Sequence, residues 1–165
     1  GGRTSATLEE LKAQTAALWY VDYIRQKGLI SDKLAKEIYT HEIAWCFGHI
    51  SKGMFTASGV PNNYSQLAAI QIGSLVNDGA IEFVTTEGTG KDVGRFKINF
   101  DKLPRASELL MQKVGVILAT GDAKAAKEFI DNYTVGEGSK LVRMDDVKDR
   151  VLRFPKASFE YAVLY

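Results

Sequence analysis

The sequence predicts a mainly α domain of four to five helices, with a minor β part formed by one small β-hairpin at about residues 81–100. Three observations predict this fold class. Long segments on both sides of residues 81–100 carry apolar residues at the three- and four-residue spacing of amphipathic helices. Residues 81–84 and 96–100 alternate between apolar and polar, as short strands do. Stretches rich in Gly, Ser, Asn and Pro, such as residues 51–63, separate these segments.

The first predicted helix runs from about Thr7 to Lys27 and has an unusually wide apolar surface. Its stripe consists of Leu8, Leu11, Leu18, Val21 and Ile24, widened by Trp19, Tyr20 and Tyr23. A helix that is apolar on more than one side is usually buried on more than one side. We therefore expect part of this surface to be buried against another element or chain, and self-association is one way to bury it.

The other predicted helices follow from capping and breaking residues. Ser31 or Asp32 is an N-cap candidate for the second helix and Asp122 for the fifth. Gly28 and Gly79 are natural helix stops. The predicted ranges are 32–50, 63–77, 105–119 and 123–133, with a last short helix at 144–152.

Composition places the chain among ordinary globular proteins and excludes several classes. Its 165 residues are 45% hydrophobic and 25% charged, with a net charge of +1, so we expect one domain spanning residues 1–165 and no nucleic-acid partner. A lone cysteine, Cys46, suits a reducing cytoplasm. No apolar run approaches the roughly 18 residues of a membrane span. The chain begins at Gly1 without Met, which we interpret as a fragment of a longer parent.

Several residue groups resemble functional motifs but do not complete them. His41-Glu42 looks like half of an HExxH zinc motif, but Trp45 stands where the second His belongs. His49 lies eight residues after His41, roughly 12 Å along a helix, too far for both to bind one metal ion. Residues 88–91, GTGK, lack the upstream Gly and the following Ser or Thr of a phosphate loop. We interpret all of these as structural or surface groups.

Glu10 has two interpretations that give different geometries. It lies three residues after Thr7, so it can be the capping-box partner whose carboxylate folds back onto the Thr7 amide. It also shares a helix face with Gln14, four residues on. In the second interpretation Glu10 is a metal ligand, and its carboxylate points away from the backbone into a cleft with Gln14 beside it.

Residues 9–14, EELKAQ, resemble the EExxAE-type segment of the dipeptidyl peptidase III family of zinc peptidases. Residues 119–133, ATGDAKAAKEFIDNY, are similar to a TGD stretch near the C-terminus of that family. The resemblance implies that Glu10 is a zinc ligand and that Tyr64 binds substrate. It also implies that Glu9 and Gln14 orient the zinc ligands without binding the metal themselves. It implies no catalytic residue in this chain, because the family's HExxGH segment is absent.

The same resemblance implies the C-terminal part of a zinc-peptidase-like catalytic domain. In the intact parent, a missing N-terminal domain would complete the Zn²⁺ site and a peptide would be the substrate. We expect no zinc in this chain alone, and no activity. Two alternatives remain open: a non-catalytic helical scaffold or interaction module, and the C-terminal region of a Nudix-fusion hydrolase. The Gly- and Glu-rich Nudix box itself is not present in the sequence.

Overall fold

The computed structural model of the chain describes residues 2–86 and 93–155. This part contains α1 (Arg3–Gln26), α2 (Asp32–Ile50), α3 (Asn63–Asn77), β1 (Ile81–Thr85), β2 (Gly94–Ile98), α4 (Leu103–Thr120), α5 (Ala123–Thr134), α6 (Ser139–Val142) and α7 (Met144–Leu152). The predicted fold class, mainly α with one small hairpin, is confirmed. The last short helix predicted at 144–152 forms as α7, and α6 is a single additional turn, so the helices in the described ranges outnumber the predicted four to five.

Helix α3 lies at the centre of the fold. Every residue from Ser65 to Leu75 is buried, and the helix contributes apolar side chains to both hydrophobic clusters of the molecule. One cluster contains Ile72 and Leu75 and extends to α2, the hairpin and α7. The other contains Leu67 and Ile70 and extends to α1, α4 and α5. The remaining elements are therefore arranged around α3.

Helix α1 begins four residues earlier than predicted, which removes the expected capping role of Thr7. The helix starts at Arg3, and the Ala6 N–H donates to the Gly2 carbonyl at 3.1 Å. No glycine or proline lies between Arg3 and Thr7, so nothing in the sequence stops the helix from starting there. Thr7 is instead a buried helical residue whose hydroxyl donates to Asn63 Oδ1 at 3.3 Å. This bond joins the first turns of α1 and α3.

The loop between α2 and α3 fixes where α3 begins. The Asn62 N–H donates to the Met54 carbonyl at 2.9 Å, and the Gln66 side chain donates to the same carbonyl at 3.3 Å. The Ser65 hydroxyl donates to the His49 carbonyl at 2.7 Å. These bonds hold the first turn of α3 against the last turn of α2.

The hairpin and α7 pack against α2. The strands are antiparallel, with Phe83 opposite Phe96. The Phe96 ring packs on Phe47 of α2 with centroids 4.8 Å apart. Arg143, just before α7, places its guanidinium 3.9 Å from the centroid of Phe83. Aromatic contacts therefore connect the hairpin to its neighbours on both sides.

The glycine-rich hairpin tip, including the GTGK residues 88–91, lies outside the residues that the structure describes. So does most of the apolar tail Phe154–Tyr165, which the sequence predicts to pack on this domain or on a missing one. No helix in the described ranges is long and apolar enough to cross a membrane. The single-domain organisation and the cytoplasmic location remain predictions.

Candidate functional site

Two residues that the sequence singles out meet where α1 and α3 begin. Glu10 lies on α1 and Tyr64 on α3, 54 positions apart, and the Tyr64 hydroxyl donates to Glu10 Oε2 at 3.3 Å. The Thr7–Asn63 bond and the loop before α3 bring these two helix starts together. Both side chains are exposed, so the pair can reach a molecule in solution. We call it the Glu10–Tyr64 pair.

Two rings of α2 extend the pair into an aromatic cluster. His49 lies 4.1 Å from Trp45 and 5.4 Å from Tyr64, measured between ring centroids. The Trp45 and Tyr64 rings are 6.1 Å apart and nearly perpendicular, at 83°. This edge-to-face arrangement is the favourable one for aromatic pairs. The four residues combine a carboxylate with three rings that contact one another at tilted or edge-to-face angles.

The charge of the cluster follows from the surroundings of His49. Partial burial, followed by the positive charge of Lys52, lowers the pKa of His49 below its usual value of 6.5. The imidazole is therefore neutral near pH 7, where it can both donate and accept a hydrogen bond. Glu10 then contributes an acceptor, Tyr64 a hydroxyl and Trp45 an apolar face. This set suits a polar ligand with an apolar or planar part better than a small anion, because Glu10 repels negative charge.

The geometry separates the two interpretations of Glu10. Its carboxylate does not cap the Thr7 amide, since Thr7 lies inside the helix, and the Tyr64 hydroxyl is its hydrogen-bond partner instead. Glu9 points elsewhere and forms an ion pair with Lys12 on the same helix. Gln14 is half-buried one turn after Glu10. The structure thus brings Glu10 and Tyr64 together, and no hydrogen bond among the described residues joins a further carboxylate to them.

The residues around Glu10 do not form a zinc ligand set. Within residues 2–86 and 93–155, no three His, Cys, Asp or Glu side chains come close enough to hold a metal ion. Zinc sites need at least three protein ligands, and the hydrogen-bond partner of Glu10 among these residues is the phenol of Tyr64. The described residues therefore do not complete a zinc site by themselves.

The other groups weighed in the sequence lie apart from this cluster. His41 is exposed on α2, and Glu42 is half-buried. Cys46 is buried, with its thiol 3.5 Å from Gln71 Oε1, and burial raises the pKa of that thiol well above its usual value. A thiol that stays protonated is a poor nucleophile, so Cys46 is a core residue.

Sequence reasoning missed Trp45 and His49 as members of the site. His49 drew attention only as a second metal ligand for His41, and Trp45 only as the residue that breaks the HExxH motif. A weak signal was available. Trp45 and His49 are four residues apart on α2, so they share a face, and the link to α3 is short enough to place them beside Tyr64.

Comparison with known proteins shows a similarity to a plant protein. This mainly helical chain is 26% identical over 158 residues to Nudix hydrolase 3 of Arabidopsis thaliana. The match covers 90% of this chain but 19% of the relative, so the chain spans about a fifth of that protein. No family model matches the sequence. No solved structure matches it either.

This finding corrects the family expected from the sequence. The relative is a Nudix hydrolase, and nothing in the comparisons supports the dipeptidyl peptidase III family, so that assignment and its zinc-metallopeptidase character are wrong. Local helix physics accounts for both motifs that suggested it. In TGD, Gly121 ends α4 with a φ of 64°, and the Asp122 carboxylate caps α5 through the Ala125 N–H at 2.9 Å. In EELKAQ, the first Glu forms an ordinary helix-surface ion pair with the Lys.

Proposed function

We propose that this chain is a helical region of a Nudix-fusion hydrolase and that its Glu10–Tyr64 pair faces the substrate of the larger enzyme. The comparison supports the proposal that the chain is part of a larger Nudix-fusion hydrolase. The similarity to Nudix hydrolase 3 runs along 90% of the chain, and more than four fifths of that relative lies outside the match. The sequence also lacks a Nudix box, so in this proposal the hydrolytic chemistry belongs to another part of the parent.

The proposal that this pair faces the substrate rests on one observation, the Tyr64–Glu10 hydrogen bond at an exposed aromatic cluster. Polar groups that converge on an open, partly aromatic surface are typical of binding sites. Here the bond fixes the direction of the hydroxyl and of one carboxylate oxygen before any ligand arrives. A preorganised donor and acceptor reduce the ordering cost of binding.

The test uses the intact parent with single substitutions in this region. The hydrolytic activity of the parent is first identified with a panel of substrates that contain phosphoanhydride, ester or amide bonds. The kcat/KM values of Glu10→Gln and Glu9→Gln are then compared on the substrate that is hydrolysed. The two changes are chemically identical and one residue apart, but only Glu10 reaches Tyr64. Glu10→Gln keeps an oxygen that can accept the Tyr64 hydroxyl but removes the charge. Because hydrogen bonds to charged groups contribute about 1 kcal/mol more than neutral ones, this variant should lower kcat/KM roughly 5-fold. Equal values for both variants would refute the proposal.

A second candidate function, a docking module, rests on a different surface. Trp19, Tyr20 and Tyr23 of α1, which we call the aromatic face, are 37%, 54% and 45% exposed. The Trp19 and Tyr23 rings stack with centroids 5.9 Å apart and an angle of 14°. Exposed Trp and Tyr are enriched at protein interfaces, so this face supports association with a second copy or with another part of the parent. Sedimentation velocity over a range of concentrations tests the first of these.

A further inference from the structure

Three buried side chains in the centre of the fold have polar atoms without a hydrogen-bond partner among the described residues. Thr15 on α1 and Ser107 on α4 are 0% exposed, and Gln71 on α3 is 1% exposed. The atoms concerned are Thr15 Oγ1, Ser107 Oγ and Gln71 Nε2. A buried polar group without a partner destabilises the fold, because it has given up its hydrogen bonds to water. Each of these atoms therefore needs a partner that the side chains around it do not supply.

The hydroxyl of Thr15 differs from those of other threonines in the helices. Thr40, Thr120 and Thr134 each donate to the carbonyl four residues earlier, at 2.8, 2.8 and 2.9 Å. Helical threonines satisfy their own hydroxyl in this way. Thr15 makes no such bond to Leu11, so its hydroxyl stays available to a bound molecule.

Thr15 and Gln71 lie at the same height on two helices that run in the same direction. The Thr7–Asn63 bond joins the first turns of α1 and α3. Thr15 and Gln71 each come eight residues after their member of that bonded pair. At about 1.5 Å of rise per residue, each is about 12 Å along its helix. The two side chains therefore belong to one level of the fold.

This level is the boundary between the two hydrophobic clusters, and Ser107 belongs to it as well. Each of the three polar residues has, three or four positions away on its own helix, a leucine of one cluster on one side and a leucine of the other cluster on the other side. The flanking pairs are Leu11 and Leu18 on α1, Leu67 and Leu75 on α3, and Leu110 and Leu103 on α4. Residues at this spacing share a helix face. We call Thr15, Gln71 and Ser107 the polar layer.

We propose that the polar layer binds a buried water molecule, held by hydrogen bonds to Thr15, Gln71 and Ser107. A buried water makes about three hydrogen bonds to groups that are otherwise unsatisfied, and the layer offers three such side chains. Their chemistry is complementary to water, because the amide nitrogen donates and each hydroxyl can donate or accept. Thr15 and Ser107 are also smaller than the leucines that flank them, which gives room for a molecule of this size.

An ion fits the polar layer less well than water does. None of the three side chains carries a charge, and an unpaired ion is costly to bury. The oxygen of Gln71 that could serve a cation already accepts the Cys46 thiol at 3.5 Å. Because the layer lies inside the fold, this inference does not depend on the proposed function of the Glu10–Tyr64 pair.

Magnetic relaxation dispersion of water, measured on the full chain, tests for the bound molecule. This method detects water that stays in a protein far longer than surface water does. The triple variant Thr15→Val, Gln71→Met, Ser107→Ala removes the polar groups with little change in shape, and circular dichroism checks its fold. The unsubstituted chain should hold at least one long-lived water more than this variant. The control is Thr134→Val, because that buried hydroxyl is satisfied within its own helix, and the amount of long-lived water should not change.

The stability of Thr15→Val alone gives an independent test. Val resembles Thr in shape and in helix propensity. If Thr15 binds the water, this change leaves the water with one partner fewer, and the denaturation midpoint should fall. If Thr15 has no partner, Val removes an unsatisfied hydroxyl and the midpoint should rise.

Either of two results would overturn the proposal. One is the same amount of long-lived water in the unsubstituted chain and the folded triple variant. The other is a denaturation midpoint of Thr15→Val that is equal to or above that of the unsubstituted chain.

Discussion

Replacing Gly73 by Ala tests the close approach of α3 and α5 at the centre of the fold. A methyl group at this position would lie 2.3 Å from Cδ1 and 2.7 Å from Cε1 of Tyr133. Tyr133 is itself buried, at 6% exposure, so its ring has little room to move. Overpacking of this kind costs about 1–3 kcal/mol, whereas Gly→Ala inside a helix gains about 1 kcal/mol. The net effect should be a loss of up to about 2 kcal/mol.

Gly115→Ala is the matched control, because the same change is made inside helix α4. A methyl group there would meet no atom within 4 Å, so this variant should gain up to about 1 kcal/mol. Thermal and guanidinium denaturation followed by far-UV circular dichroism measure both variants. The difference between them isolates the contact with Tyr133, and each 1 kcal/mol should separate their Tm values by about 2–4 °C. If Gly73→Ala is as stable as Gly115→Ala, α3 and α5 do not approach as described.

Three other perturbations have defined outcomes. Asp122→Ala should lower the free energy of unfolding by about 1 kcal/mol, because its carboxylate caps α5; an unchanged denaturation midpoint would contradict this. Because the pKa of His49 is lowered in the folded chain, the unfolded chain binds more protons below pH about 6.5. The His49 contribution to stability should thus be present above that pH and be lost on acidification. In denaturation series at several pH values, His49→Gln should remove this part of the loss. A pH profile identical to that of the unsubstituted chain would contradict the prediction. Tyr20→Ser should weaken any concentration-dependent association seen by sedimentation velocity, and a strictly monomeric parent chain would rule out the aromatic face as a self-association surface.

Features set by neighbouring residues could be predicted from the sequence. The bounds of α3 at Asn63 and Asn77 agree with the prediction, and so does the start of α2 after Ser31, whose hydroxyl accepts the Leu34 N–H at 3.1 Å. Such caps need only one polar side chain beside the first turn. The alternation of apolar and polar residues likewise located the hairpin.

The central position of α3 could not be predicted in the same way. Its sequence includes Ser65, Gln66, Gln71 and Ser74, polar residues that normally mark a solvent-facing side, yet all four are buried. Three of them find partners in tertiary structure: Ser65 bonds the His49 carbonyl, Gln66 bonds the Met54 carbonyl, and Gln71 contacts the Cys46 thiol. Pattern reasoning assigns polar residues to the surface because it cannot see partners on other elements.

The site illustrates the same limit. Glu10 and Tyr64 could be selected singly, but their hydrogen bond depends on how α1 and α3 start side by side. That arrangement rests on the Thr7–Asn63 bond and on the loop that fixes α3 against α2. The misassigned family has a related cause. Its motifs were short, and a helix junction or a surface ion pair can produce the same letters for local reasons.

A double-substitution cycle on the intact parent tests most directly whether Glu10 and Tyr64 act on substrate as one unit. Glu10→Gln, Tyr64→Phe and the double variant are compared with the unsubstituted parent by kcat/KM. Glu10→Gln removes the charge that strengthens this hydrogen bond, and Tyr64→Phe removes its donor. The double variant should therefore lose little more activity than Tyr64→Phe alone. Losses that add in free energy, or full activity in all three variants, would contradict the account.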